Sequence, residues 1–220
     1  MLLEMRRVSK VFGGLRAVDE VDLSVPAGSI TGIIGPNGAG KTTLFNLISR
    51  ALPVTSGSVV FDGEEITSLA AHQMARRGVG RTFQATTLFG GATAVENVLV
   101  GYRQRTRSGV WDALARSKRQ SREEREARDA ALEALALVDL ADLAGRPARG
   151  LTQEQQKRLA LAVALVARPR LLLLDEPSAG ISMDQMRGLI ALVQRIAARG
   201  ITICLIEHRM QVVMQLCQRV

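Results

Sequence analysis

Nine consecutive residues, Gly35-Pro36-Asn37-Gly38-Ala39-Gly40-Lys41-Thr42-Thr43, directly follow the apolar run Ile30 to Ile34. They fit the pattern G-x-x-x-x-G-K-[ST], which requires a strand before it and a helix after it. Small residues let successive backbone N–H groups curl around phosphate oxygens, and the N-terminus of the following helix faces the same anion. The expected ligand is a nucleoside triphosphate. Lys41 would reach its β- and γ-phosphates as a mobile point charge, the Thr42 hydroxyl would ligate a Mg²⁺ bridging the same oxygens, and Thr43 would add a second hydroxyl. A glycine-rich turn with a solvated lysine is the plainer reading. It leaves the coincidence of Gly35, Gly38, Gly40, the Lys-Thr pair and the preceding strand unexplained.

Length permits one large α/β domain with a subsidiary helical lobe, since the chain has 220 residues. With 29 Lys+Arg against 21 Asp+Glu, its formal charge is +8, a balance that favours anionic partners or the anionic inner face of a membrane. An Arg-rich composition with solvated charges accounts for the surplus equally simply. Aromatics make up 3% of the chain, which argues against binding single-stranded nucleic acid by base stacking. The longest apolar stretch, Leu159 to Ala167, lies between Arg158 and Arg168 and is far short of the roughly 20 residues a membrane span needs. The N-terminus lacks the charge order and length of a signal peptide. Cys204 and Cys217 lack the CxxC spacing and sit among apolar residues, so they read as reduced core thiols of a cytosolic protein.

Residues 2–12 and 19–25 alternate apolar and polar side chains with Gly13-Gly14 between them, predicting an antiparallel flap beside the phosphate loop. Phe12 ends its first strand, where it either stacks on a purine or packs as a core or edge phenylalanine. A helix over 41–50, a strand over 57–63 running into a turn, a helix over 70–77 and a strand over 79–83 follow. From Thr93 to Leu140 the residues are helix-forming, with Leu132, Leu135 and Val138 on one face and a charge-dense stretch over 103–128. They predict a helical lobe inserted in the α/β core. Thr152 with Gln155 makes a capping box for the next helix. Leu171 to Leu174 and Ile201 to Ile206 are unbroken apolar strands suited to a buried parallel sheet. The first ends in Asp175-Glu176 and the second in Glu207-His208, where ligands bind in such sheets. A helix over 209–218 closes the chain.

Together and in this order, these motifs resemble the nucleotide-binding subunit of an ATP-binding cassette transporter, across essentially the whole chain. The resemblance implies a P-loop NTPase core with a mainly parallel sheet, an N-terminal antiparallel β-subdomain and an inserted α-helical subdomain. It would be a single domain, with 1–92 and 169–220 forming the core and 93–168 the helical part. It also implies roles. Asp175 matches the Walker B aspartate that helps hold Mg²⁺, and Glu176 the carboxylate that polarises the attacking water. Gln84 matches the glutamine that touches metal and water, His208 the switch histidine at the γ-phosphate, and Phe12 the adenine-stacking aromatic. Ser178 to Ser182 matches the loop that crosses the dimer interface. Arg81-Thr82-Phe83-Gln84, Leu88-Phe89, Ala94-Val95-Glu96-Asn97-Val98-Leu99-Val100-Gly101 and Ile206-Glu207-His208-Arg209-Met210 are similar to the ATPases of importers for branched-chain or other hydrophobic amino acids. Implied with them are ATP and Mg²⁺, membrane permease subunits, a second ATP-binding subunit, an external solute-binding protein reached indirectly, a peripheral place on the cytoplasmic membrane face, and no nucleic acid.

Two departures stand out. The family signature, Leu-Ser-Gly-Gly-Gln, is here Leu151-Thr152-Gln153-Glu154-Gln155. Thr152 keeps a hydroxyl for the partner's γ-phosphate, but Glu154 brings a carboxylate toward it. At roughly 6 Å and an effective dielectric of about 20 the repulsion is on the order of 3 kcal/mol. Val163 also stands where an arginine is common. The second departure is the end at Val220, where the family usually continues, so a truncated or short member would leave an edge of the core bare. Competing readings are a degenerate or regulatory cassette with weak hydrolysis, a cassette serving urea, amides or lipid export, a small-molecule kinase or GTPase, and a cassette ATPase acting on ribosomes or DNA.

Overall fold

The alternating N-terminal stretch forms two long strands, β1 (Leu3–Phe12) and β2 (Leu15–Val25), paired antiparallel from Leu3↔Val25 to Phe12↔Leu15. The computed structural model describes residues 1–82, 88–102 and 118–220. They fall in two units, Met1–Gln84 with Arg170–Val220, and Ala85–Pro169.

In the first unit, β3 (Ile30–Ile33) is followed by α1 (Lys41–Ile48), β4 (Ser56–Phe61), β5 (Glu64–Glu65), α2 (Ala71–Arg76) and β6 (Val79–Thr82). Strands β2-β1-β4-β5 make an antiparallel sheet. A second sheet is parallel, in the order β3-β8-β7-β6, with β7 (Leu171–Asp175) and β8 (Thr202–Ile206) at its centre. Every residue of β7 and β8 is buried, as continuous apolar strands require when both faces are covered. Leu44, Phe45, Leu47 and Ile48 of α1 join Leu171, Leu173, Cys204 and Ile206 in one core with Leu3, Met5, Val59 and Phe61. The α/β class, the antiparallel flap and the parallel core agree with the sequence reading.

The parallel register decides where chemistry can gather. Ile33 pairs with Ile206 and Asp175 with Ile206, so three strands end level with one another and discharge their next residues at one edge. Helix α6 (Met183–Ala197) follows β7, capped by Ser182, whose hydroxyl accepts from the Gln185 N–H. Helix α7 (Met210–Leu216) follows β8.

The second unit holds α3 (Ala94–Tyr102), α4 (Lys118–Leu137) and α5 (Gln153–Leu165). Leu135 and Val138 are fully buried, whereas Leu132 is 38% exposed and so stands at the rim of the expected apolar face. Gly101 is required by packing. A Cβ there would lie 2.3 Å from the Val163 carbonyl oxygen, so α3 and α5 approach backbone to side-chainless backbone.

Element ends shift by a few residues from the predicted ranges. The predicted strand end at Phe83 lies outside the described residues. The Gln218 N–H donates to Ile30 O at 3.0 Å and the Gly32 N–H to Arg219 O at 2.8 Å, so the last residues run along β3. Cys204 is a core thiol as expected, but Cys217 is only half-buried. No helix among the described residues is long and apolar enough to cross a membrane.

Candidate functional site

The loop between β3 and α1 needs glycine for physical reasons. Gly38 and Gly40 have φ of 84° and 82°, a region L side chains avoid. At Gly40, which caps α1, a Cβ would also lie 2.3 Å from the Ala17 carbonyl oxygen. The first turn of α1 carries no acidic residue, so its positive end is left uncompensated for an anion. The Lys41 ammonium folds over the loop, donating to Gly35 O and Pro36 O at 2.8 Å each.

A cavity of about 860 Å³ runs along this loop. Gly35 to Thr43 line it together with Phe12, the start of β2, Glu176 and His208. Phe12 is 43% exposed, which removes the reading of a core aromatic and leaves those of an edge phenylalanine and of a stacking ring; the Lys10 ammonium lies 5.0 Å from its ring centre. The cavity therefore brings an anion-binding loop, an exposed aromatic ring, a carboxylate and an imidazole together from four separate stretches of chain. His208 Nδ1 stands 4.0 Å from Glu176 Oε1. Glu176 has φ of 49°, a strained conformation for a residue with a side chain, of the kind that collects at working sites. Its N–H donates to Ile206 O at 3.0 Å, which ties the turn after β7 to β8.

Asp175 is 1% exposed and faces Arg81, 7% exposed, at 3.4 Å. The same guanidinium donates to Asn46 Oδ1 at 2.6 Å and Ser49 Oγ at 3.1 Å of α1, and lies 5.8 Å from the centre of the Phe45 ring. Burial pushes the Asp175 carboxyl above its usual range; Arg81 opposes this, Glu176 adds to it, and Lys41 opposes it. Burial pulls the Arg81 guanidinium below its ordinary value, with Asp175 opposing. Asp175 Oδ1 is buried with no hydrogen-bond partner. That oxygen and the Thr42 hydroxyl on the cavity wall are hard oxygen donors of the type Mg²⁺ takes. Among the described residues no group of three or more His, Cys, Asp or Glu forms a cage. Magnesium held here would take its remaining ligands from phosphate and water, its usual habit. Gln84, the other expected metal contact, lies outside the described residues.

In the second unit, Thr152 caps α5 as the capping box predicts. Its hydroxyl accepts from the Gln155 N–H at 3.2 Å, and its own N–H donates to Gln155 Oε1 at 2.9 Å. Glu154 is not the bare charge the sequence suggests. Arg158, one turn along α5, donates through Nε to Glu154 Oε1, and through Nη1 to Asp139 Oδ2 at 2.6 Å. The carboxylate is drawn along the helix and paired there with a guanidinium it shares with Asp139. Asn97, 2% exposed, accepts from the Phe89 N–H at 2.8 Å and donates to Phe89 O at 3.1 Å, fixing a segment whose Phe89 side chain is 61% exposed.

Three residues were passed over by motif reading. Arg81 stands in the sequence only as part of Arg-Thr-Phe-Gln, Arg158 only as a charge bounding an apolar stretch, and Glu207 only as the neighbour of His208. Glu207 is fully buried. An acid directly after an apolar strand was the one available signal for it.

A family model described as ABC transporter matches residues 18–179. The chain is 40% identical over 220 residues to the high-affinity branched-chain amino acid transport ATP-binding protein BraF of Pseudomonas aeruginosa, covering 100% of this chain and 86% of that protein. It is 37% identical over 220 residues to the protein of the same description, LivG, of Escherichia coli, with the same coverage of 100% and 86%. A nucleotide-free ATP-binding cassette from an ABC transporter superposes with a TM-score of 0.85 at 32% identity, over 98% of this chain and 85% of that one. A dimeric bacterial ABC transporter cassette superposes with a TM-score of 0.81 at 26% identity, over 97% and 91%.

Proposed function

Because the chain belongs to the ABC transporter family of ATP-binding cassettes, we propose that it energises uptake of branched-chain amino acids by hydrolysing ATP between two cassettes that close head to tail. The observation that carries this reading is the single cavity of about 860 Å³ lined by the phosphate loop, Phe12, Glu176 and His208. Adenine stacks on Phe12, and the N–H groups from Gly35 through Thr43 receive the phosphates. Lys41 exchanges its carbonyl partners for β- and γ-phosphate oxygens. Thr42, Asp175 and Gln84 hold Mg²⁺, which when bound neutralises charge on those oxygens. Glu176 accepts a hydrogen bond from the attacking water and orients it toward the γ-phosphorus, while His208 steadies the γ-phosphate. The Thr152 hydroxyl meets the γ-phosphate bound by a second subunit, and the loop from Ser178 to Ser182 crosses between the two.

The whole chain acts as one cassette, with 93–168 as its helical part. The exposed Phe89, its backbone held by Asn97, offers a permease subunit an apolar contact. Such a subunit sits at the cytoplasmic face of the membrane, with a solute-binding protein on the far side and no nucleic acid partner. The likeness to BraF and LivG supports branched-chain amino acids as the solute. Steady-state hydrolysis with Mg²⁺ tests the reading: turnover should fall at least 100-fold in Glu176→Gln while ATP still binds, on the scale of losing a general base, and unchanged turnover would refute it.

One observation favours a second reading. Glu154 at the signature position suits a weakly hydrolysing, regulatory cassette, and a Glu154→Gly variant many-fold faster than the parent would support that reading instead.

A further inference from the structure

Glu207 is buried with 0% exposure, and among the described residues it forms no ion pair. A desolvated carboxylate of this kind is costly unless its oxygens are met by donors. Three backbone N–H groups meet them. Ser178 donates to Oε1 at 2.9 Å, and His208 and Arg209 donate to Oε2 at 3.1 and 3.3 Å. The two oxygens therefore grip different stretches of chain. One holds the turn that leaves β7 two residues after Glu176, and the other holds the backbone of His208 itself.

Neighbouring bonds make residue 207 a junction. Its own N–H donates to Ile33 O at 3.3 Å, at the end of the strand that enters the phosphate loop, and the Glu176 N–H donates to Ile206 O at 3.0 Å. The Arg209 guanidinium donates to Ile181 O at 3.2 Å, a second link between the same two stretches. We infer that Glu207 is a positioning residue, whose buried carboxylate clamps the turn carrying Glu176 to the loop carrying His208 and so fixes the two side chains across the cavity. The inference rests on the roles proposed for Glu176 and His208.

Its geometry accounts for the type of residue. A carboxylate presents acceptors on both oxygens and so satisfies N–H donors on two sides at once. A glutamine of the same shape turns an NH₂ toward one side and meets donor with donor. An aspartate keeps the charge with shorter reach. Glu207→Gln should therefore release one stretch while keeping the volume filled.

The test compares the full chain with Glu207→Gln, Glu207→Asp and Glu207→Ala in two assays. In ATP hydrolysis, kcat should fall on the order of 10- to 100-fold in Glu207→Gln, as a displacement near 1 Å can cause. KM should stay within about threefold, because the loop and Phe12 are untouched, and Glu207→Asp should recover part of kcat. The second assay needs no turnover. The chain has two histidines, so the His208 ring signals can be assigned by NMR with a His72→Gln variant. Substituting Glu176→Gln should shift the His208 signals in the parent, since the groups lie 4.0 Å apart, and should leave them unmoved in a Glu207→Gln background. An undiminished Glu176 effect on His208 in Glu207→Gln, or wild-type kcat in that variant, would overturn the clamp. If the parent shows no Glu176-dependent turnover, the proposed function fails and the NMR comparison still decides the clamp. Should Glu207→Ala not fold, Gln and Asp carry both assays.

Discussion

Removing Arg81 should expose the cost of the buried acid beside it. Asp175 is 1% exposed, and Arg81 at 3.4 Å is its ion-pair partner. Breaking a buried pair from one side typically costs about 3–5 kcal/mol, because the other charge stays behind. Asp175 has an escape, since it can take up a proton. From its ordinary value of 3.8 that costs about 1.4 kcal/mol per pH unit, or roughly 4 kcal/mol at pH 7, which caps the charge penalty. Arg81→Ala should thus lose about 3–4 kcal/mol at pH 7, on the order of 6–16 °C in Tm for a chain of this size. The sign of the pH dependence follows from burial raising the folded-state pKa. Stability from Asp175 is fully present below 3.8 and is lost as pH rises through the higher folded value. With Arg81 gone only the smaller pull of Lys41 opposes burial, so the deficit against the parent should shrink between pH 7 and pH 4. Urea unfolding at several pH values measures it, and Arg81→Ala with Asp175→Asn should recover at least about 2 kcal/mol at pH 7. A deficit independent of pH and untouched by Asp175→Asn would refute the reasoning.

Arg158→Ala frees the Glu154 carboxylate, so ATP turnover should drop roughly 5- to 30-fold, equivalent to about 1–2 kcal/mol of the unscreened repulsion, and adding Glu154→Gly should restore it. Gly101→Ala places a methyl 2.3 Å from Val163 O and should cost about 1–3 kcal/mol in thermal unfolding; a loss below 0.5 kcal/mol would show that α3 can move away freely. Burial pushes the Cys204 thiol up to about 12 and the Cys217 thiol to about 11, so neither should react appreciably with iodoacetamide at pH 8 until the chain unfolds.

Much of this protein is legible without coordinates. The run from Gly35 to Thr43 dictates strand, anion-binding loop and helix by itself, because each requirement is local: small residues for the turn, a lysine within reach, an apolar strand before it. Leu171 to Leu174 and Ile201 to Ile206 announce a doubly covered parallel sheet through their lack of alternation, and the acids and histidine at their ends mark the edge where ligands bind. The capping box of Thr152 and Gln155 is local too, and it forms as predicted.

What the tertiary structure decided is which charges meet. Arg81 and Asp175 are far apart in the chain and become partners only because β6 and β7 pair in parallel. Glu154 carries an isolated negative charge on paper and a paired one in the fold, since Arg158 bridges it to Asp139 beyond the end of α4. Phe12 could have packed inward until its 43% exposure beside the phosphate loop set it apart from the core. Glu207 reads in one dimension as an acid at the end of an apolar strand, next to a histidine. It is a buried clamp because β8 ends level with β3 and β7, which places three backbone N–H groups around a carboxylate that water no longer reaches. Local pattern fixes the elements through short-range sterics and periodicity, whereas desolvation and pairing depend on register between distant strands, and no single stretch of sequence contains that information.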